Sequence, residues 1–399
     1  MRVVTRPLGD VADPDLDLDA FAGGDGVLHV RDGAGIAGRG VAARVPSGEA
    51  RAFLASIDAD DAIQRPGSGP VLMGCVPFDP RAPHDFILPR ATVVRDPDGS
   101  AWATFVEGDD DHASFYRAHP ARSLPGSFEV GPGVAVEHYV AAVTAARDAA
   151  IRGEIVKAVI ARDLLVRCSV PIDVAALIAR LRSSFGSSHR FSIDGFVGAS
   201  PELLVSVNGL QVASHPLAGT VPRTGDASTD EHLAAALVAS TKNQAEHRVV
   251  IDAVHDALLP HCSYLDWQPE PSIVRVANVQ HLGTRMEGRL SDPPLHVLEA
   301  VHLLSPTPAL GGHPRDVALE LIARTEGMDR GRYGGAVGWF DRHGNGTFAV
   351  AIRCAELSPD RRVARLFAGG GIVAESDPDA ELAETQAKFQ AMLAAIVRP

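Results

Sequence analysis

"IVKAVIARDL", Ile155–Leu164, is the stretch on which the reading of this chain turns. Side chains along a strand alternate faces with a period of two. Val156, Ala158 and Ile160 then point one way, while Ile155, Lys157 and Val159 point the other. Lys157 shares its face with two β-branched apolar residues and has no polar companion along the strand. An isolated cation there is either partnered from elsewhere or built to receive an anion. The stretch just before it, "HYVAAVTAARDAAIRG", has helical character and is closed by Gly153 in the expected C-terminal position.

Downstream, strands and helices intermix without a regular βαβ alternation. "RFSIDGFVGAS", "LLVSVNGLQVAS", "GGAVGWFD", "TFAVAIRCAEL" and "VARLFAGGGIVA" read as strands. "STDEHLAAALVA", "NQAEHRVVIDAVHDALL", "HPRDVALELIAR" and "ELAETQAKFQAMLAAI" read as helices. This order predicts an α+β protein with many antiparallel pairs and helices outside, rather than a doubly wound parallel sheet. Upstream, residues 1 to about 130 are rich in Gly, Pro and Asp, with short strand-like pieces such as "GPVLMGCVPF". "SLPGSFEVGPGVAVE", Ser123–Glu137, is the candidate boundary between this variable N-terminal part and a motif-bearing part from 137 to 399.

Composition excludes several classes. With 399 residues, 46% hydrophobic, 22% charged and only 5% aromatic, the chain is an ordinary globular one. A formal charge of −13 argues against nucleic acid as a partner, while leaving room for a local basic pocket. Four widely spaced cysteines, Cys75, Cys168, Cys262 and Cys354, predict reduced thiols. There is neither a signal-like N-terminus nor an apolar run near the roughly 18 residues of a membrane span. The expectation is a soluble cytoplasmic protein, with nothing to demand a dimer.

Two helices carry carboxylates at telling positions. Glu246 precedes Val249, Val250 and Ala253 at helical spacing, which sets it on or beside an apolar face. Near the C-terminus, Asp377 is placed to cap a helix whose first residue is Pro378. Glu381, Glu384 and Lys388 then share one face of it. By itself that stripe reads most simply as a solvated salt-bridged surface. Oxygen ligands from two helices would also suit Mg²⁺, which commonly takes one or two protein carboxylates.

Glycines supply further punctuation. "HPLAGTVPR" turns at Pro216 and around Ala218-Gly219, and "FAGGGIVAESDP" puts three glycines between a strand and a helix start. Either could bring backbone N–H groups close to an anion, though tight turns are the commoner reading, and no GxGxxG or Walker spacing is present. Arg353, in "VAIRCAEL", reads as a second cation inside an apolar strand.

These pieces together resemble a known family. "KAVIAR", "SPELL", "PLAGT", "EH" in the Glu246 helix, "PTPALGG", "YGGAVGW", "AIRCAEL", "FAGGGIV" and "ELAETQAK" follow the order found in chorismate-utilising enzymes, between about Tyr139 and Leu393. That family includes isochorismate, salicylate, anthranilate and aminodeoxychorismate synthases. The resemblance implies one fold spanning 1–399, with two stacked, largely antiparallel β-sheets flanked by helices, holding chorismate and Mg²⁺ in a central cleft.

The resemblance also implies residue roles. Lys157 looks like the general base of members whose nucleophile is water, and Glu202 in "SPELL" like the acid that protonates the departing C4 hydroxyl. Glu246 and Glu384 would hold the metal, with Glu381 in or near its shell. Arg353, Lys388 and N–H groups near Gly370 would receive the enolpyruvyl carboxylate, and Gly219 would help orient the ring carboxylate. Ala309, Leu310, Tyr333, Ile352 and Phe367 match positions lining the ring. His281 resembles a histidine that positions the C4 hydroxyl or orders water, and a satisfied core histidine is the ordinary alternative.

Ala218 stands where aminodeoxychorismate synthases carry a nucleophilic lysine, and the lysine at 157 separates the chain from ammonia users, so no glutaminase subunit is expected. The balance implies isochorismate synthase, serving menaquinone, siderophore or salicylate synthesis. The alternatives are a salicylate synthase and a non-catalytic chorismate-binding paralogue. One departure stands out: Asn243 and Gln244 replace an Asp-Arg pair of many relatives.

Overall fold

A computed structural model describes residues 1–108, 126–276 and 279–397. Its architecture is the expected α+β arrangement, built on sheets of thirteen, nine and three strands. The thirteen-stranded sheet starts at the edge strand Phe128–Pro132, then runs through the lysine strand Lys157–Cys168, Val363–Ile372 and Cys354–Leu357. It continues through the hairpin of Phe196–Ser200 and His189–Ile193 into the N-terminal strands Val27–Arg31, Ala34–Arg39, Ala91–Arg95, Ala101–Val106, Arg2–Pro7 and Asp58–Asp61. The nine-stranded sheet likewise joins Val71–Val76, Asp85–Leu88 and Ala43–Pro46 to strands from the second half of the chain. Among the described strands, Arg2–Pro7 with Asp58–Asp61 is the one parallel pair.

Local chemistry explains the hairpins. "DG" at Asp194-Gly195 has positive φ at both residues (52° and 76°), the geometry that matches the twist of a two-residue hairpin. Phe128–Pro132, inside the stretch read as a boundary, pairs antiparallel with Leu164–Cys168 of the lysine strand. Just after it, the Val134 N–H donates to the Asp163 carboxylate at 2.8 Å. Residues 123–125 of that stretch lie outside the described residues.

The lysine strand is the spine of the site. It is buried from Lys157 to Leu164, paired along ten residues with Val363–Ile372 and covered by the helices Val136–Ile151 and Arg315–Thr325. The apolar faces of the two large sheets close on one another through Met73, Phe191, Phe196, Val337 and Ala349, all fully buried. The three-stranded sheet, Leu217–Pro222, Val279–Gly283 and Ser272–Arg275, stands apart from this sandwich. All four cysteines are free thiols, as expected.

The C-terminal helix spans Pro378–Val397, with the Ala380 N–H donating to the Asp377 carboxylate at 2.9 Å, as the capping pattern predicts. Helices at Val174–Phe185 and Val297–Leu304 escaped the sequence reading. Both carry a clear one-faced apolar period, with Val174, Leu177, Ile178, Leu181 and Phe185 buried in the first and Val297, Leu298, Val301 and Leu304 in the second, so the signal was present in the sequence and was missed.

Candidate active site

Lys157 opens onto a cavity of roughly 290 Å³ between the lysine strand, the three-stranded sheet and the two carboxylate-bearing helices. Its stem crosses Gly371 of the neighbouring strand so closely that a Cβ there would lie 2.2 Å from Lys157 Cε. Gly371 is therefore the residue that lets the lysine through. The ammonium is 3.6 Å from Glu246 Oε2, so the polar companion missing along the strand arrives from a helix far away in sequence. That helix, Thr241–Leu258, is capped by Ser240 and buries Val250, Ile251 and Val254, which turns Glu246 and Lys242 toward the cavity. Burial lowers the Lys157 pKa, and Glu246 opposes that shift.

Glu202 faces the same cavity and is only 3% exposed. Its carboxylate accepts one backbone bond, from the Leu217 N–H at 3.3 Å. Burial dominates and pushes its pKa up to about 8, against smaller opposing effects of that N–H, Arg353 and Lys157. A lysine pushed down and a glutamic acid pushed up, on one cavity, is the pattern of a base and acid with separate tasks.

Arg353 corrects the sequence reading. It does not lie within a strand but in the break between Gly346–Val350 and Cys354–Leu357, with φ at 52°. A non-glycine residue in that region is strained, by about 1 kcal/mol or more. Its carbonyl accepts from the Ala199 N–H at 3.0 Å, and Gly198 makes room, since a Cβ there would meet that carbonyl at 2.8 Å. An alternating pattern cannot register such a break, because every residue around it is still apolar.

The charged stripe of the C-terminal helix lines the cavity, with the Lys388 side chain 11% exposed and that of Glu384 still 41% exposed. Lys388 bonds Glu384 at 2.6 Å and the Gly369 carbonyl at 2.7 Å, and Glu381 accepts from Ser376 Oγ at 2.8 Å. Burial acts to raise the Glu384 pKa, but Lys388, Arg353 and Lys157 outweigh it and hold the group low. Glu381 is pushed up, first by burial and then by the charge of Glu384.

The three glycines divide their tasks. Gly369 and Gly371 line the cavity and Gly370 does not. A Cβ on Gly370 would strike Glu381 Oε2 at 2.5 Å, so the bare glycine makes room for that carboxylate. Gly219 sits at a bulge between Ala218 and Thr220, with φ at 72°. His281 reaches Thr220 Oγ1 (3.0 Å) and the Gly219 carbonyl (3.3 Å) through Nδ1, and Arg353 Nη2 (3.3 Å) through Nε2. Tyr333 and Phe367 stack with rings 8° from parallel and centroids 5.0 Å apart, and Ala309, Leu310 and Ile352 complete the apolar wall.

The model of the family described as "chorismate binding enzyme" matches residues 44–397. The chain belongs to the chorismate-binding enzymes. It is 37% identical over 340 residues to the isochorismate synthase DhbC of Bacillus subtilis, covering 82% of this chain and 81% of that one. With EntC of Escherichia coli, named an isochorismate synthase, it is 35% identical over 331 residues, covering 81% and 80%. The structure of the menaquinone-specific isochorismate synthase MenF from Escherichia coli superposes with a TM-score of 0.85 at 26% identity, covering 100% of this chain and 94% of that one. Anthranilate synthase component I of Streptococcus pneumoniae shares the fold, with a TM-score of 0.68 at 22% identity over 83% and 81% of the two chains.

Several further wall residues were given no site role from the sequence. Val159, Pro201, Leu217, Thr220, Lys242 and Asn243 line the cavity. Behind the wall, Arg330 and Glu326 form a fully enclosed ion pair at 2.7 Å, each side chain 2% exposed. Arg330 also donates to the carbonyls of Val159 (2.7 Å) and Leu310 (2.9 Å) and stacks over Phe78. It thereby ties the lysine strand to the apolar wall. The i, i+4 spacing of Glu326 and Arg330 was visible, but surface and core ion pairs look alike in sequence. Among the described residues, no helix is long and apolar enough to cross a membrane.

Glu246, Glu381 and Glu384 bring hard oxygens to one cavity, and the mutual repulsion of Glu381 and Glu384 is of the kind a divalent cation relieves. Among the described residues, no three His, Cys, Asp or Glu side chains are gathered to ligand distance. Instead each carboxylate leans on Lys157, Ser376 or Lys388. The chemistry fits Mg²⁺.

Proposed function

We propose that this protein converts chorismate to isochorismate with Mg²⁺. The observation that carries the reading is the pairing of Lys157 and Glu202, two buried titratable groups on one cavity whose pKa values are displaced toward neutrality from opposite ends. Lys157 Nζ, neutral when it acts, takes a proton from the water that attacks C2. Glu202 gives its proton to the C4 hydroxyl, which leaves as water while the ring double bonds shift. One water enters and one departs, so the ring gains and loses no atoms overall, and the proton on Lys157 must return to Glu202 before the next turnover.

Glu246 and Glu384, with Glu381 beside them, would hold the cation, which when bound neutralises the ring carboxylate and orients it. Arg353 and Lys388 supply positive charge for the second carboxylate, and the Tyr333–Phe367 wall excludes water from the ring face. Relatives named isochorismate synthase support this reading, and so does Ala218 on the cavity wall, where no amine nucleophile stands.

The test is product analysis after incubating the protein with chorismate and Mg²⁺, beside Lys157→Ala and chelated controls. Isochorismate that disappears in both controls is the expected result. Salicylate with pyruvate would move the protein to the lyase branch. Bound but unconverted chorismate would make it a non-catalytic binder and sink the proposal.

A further inference from the structure

We infer that His281 is a positioning residue, locked as the neutral tautomer protonated at Nδ1, whose task is to hold the Arg353 guanidinium toward the cavity without cancelling its charge. The inference rests on the reading that Arg353 receives a substrate carboxylate.

The Nε2 end of the imidazole selects the tautomer, and the Nδ1 end accommodates it. Nε2 lies 3.3 Å from Arg353 Nη2, and a guanidinium has only donors, so Nε2 must present its lone pair. With Nε2 accepting in a neutral ring, the hydrogen sits on Nδ1, where the Gly219 carbonyl at 3.3 Å can accept it. Thr220 Oγ1, at 3.0 Å from Nδ1, shares that hydrogen. The bulge at Gly219 is what brings carbonyl and hydroxyl to the same nitrogen. Protonating Nε2 would aim an N–H at a cation. Burial first, and then the charge of Arg353, lower the His281 pKa to about 3. The ring is thus neutral through the working range, and its lone pair is already engaged.

Arg353 needs such a partner. Its backbone is left-handed, and among the described residues no carboxylate forms an ion pair with it and its Nε has no hydrogen-bond partner. His281 is the side chain that bonds its guanidinium. A carboxylate in that place would orient the guanidinium too, but would neutralise it and compete with an incoming anion. A neutral acceptor fixes geometry and leaves the full positive charge for the ligand.

The experiment uses the full-length protein labelled with ¹⁵N-histidine, with His281→Gln identifying the resonance, together with kinetics on chorismate. The expected spectrum has Nδ1 protonated and Nε2 unprotonated, unchanged between pH 5 and 9. His281→Ala should raise KM at least about tenfold with a smaller change in kcat. His281→Gln, which offers a neutral acceptor near the Nε2 position, should restore KM to within about threefold. His281→Glu should be worse than His281→Ala, by about a further tenfold in KM, because it neutralises the guanidinium. Thr220→Val should shift the Nδ1 resonance and Thr220→Ser should restore it.

An Nε2-protonated ring, a His281 that titrates between pH 5 and 9, or a His281→Ala variant that loses kcat at unchanged KM would each overturn the inference. Should the wild-type protein not turn chorismate over, the proposed function fails, and the tautomer spectrum alone then decides this inference.

Discussion

Replacing Glu202 by Gln separates the acid from its shape. Glutamine keeps the volume and an oxygen for the Leu217 N–H, but it has no ionisation and is a poor acid. Because the folded-state pKa is about 8 against an ordinary 4.5, the folded protein keeps a proton that the unfolded chain releases. Wild-type stability from this group is therefore present below pH 4.5 and lost as pH rises to about 8. At about 1.4 kcal/mol per pH unit, the loss across that window is of order 5 kcal/mol. For a chain of this length it corresponds to about 6 °C in Tm. Glu202→Gln escapes this penalty, so its Tm relative to wild type should climb by about that amount between pH 4.5 and 8. Over the same range its kcat should be lower by 10²–10⁴-fold, the usual share of a general acid. Thermal melts and steady-state rates at matched pH check both. A Tm offset that stays constant with pH would mean Glu202 ionises normally, and the assignment of a neutral buried acid would be refuted.

Two further outcomes follow from packing. Gly371→Ala should displace the Lys157 stem, because its Cβ would sit 2.2 Å from Cε. A fall in kcat of at least about a hundredfold in a folded protein is expected, and wild-type rates would contradict the crossing described here. Arg330→Met should strand Glu326 without its partner and cost about 3–5 kcal/mol in a urea melt. Changing Glu326 to Gln in the same chain should recover part of that loss, which a loss due only to side-chain volume would not show.

Much of the site was legible because its signals are local. The lysine strand showed through its two-residue alternation, and the C-terminal helix through Asp377 and Pro378. Glu381, Glu384 and Lys388 declared a common face through their spacing. What spacing cannot give is the environment of a face. The same stripe would read identically on a solvated helix, and only its packing across Gly369 and Gly370 makes it a cavity wall.

The chain by itself thus determined the class of fold and the family motifs, and through those motifs it named the residues proposed here as acid, base and oxygen donors. Strand alternation, helix spacing and capping are properties of neighbours in sequence, whereas the residue roles are what the family resemblance implies. Tertiary structure decided that Lys157 meets Glu246, that Arg353 leaves its strand through a left-handed residue, that His281 is clamped between Thr220 and Arg353, and that Glu326 and Arg330 lie behind the wall. Each of these depends on groups brought together from distant parts of the chain. Burial and opposing charge, which set the protonation of Lys157 and Glu202, exist only once the sheets have closed.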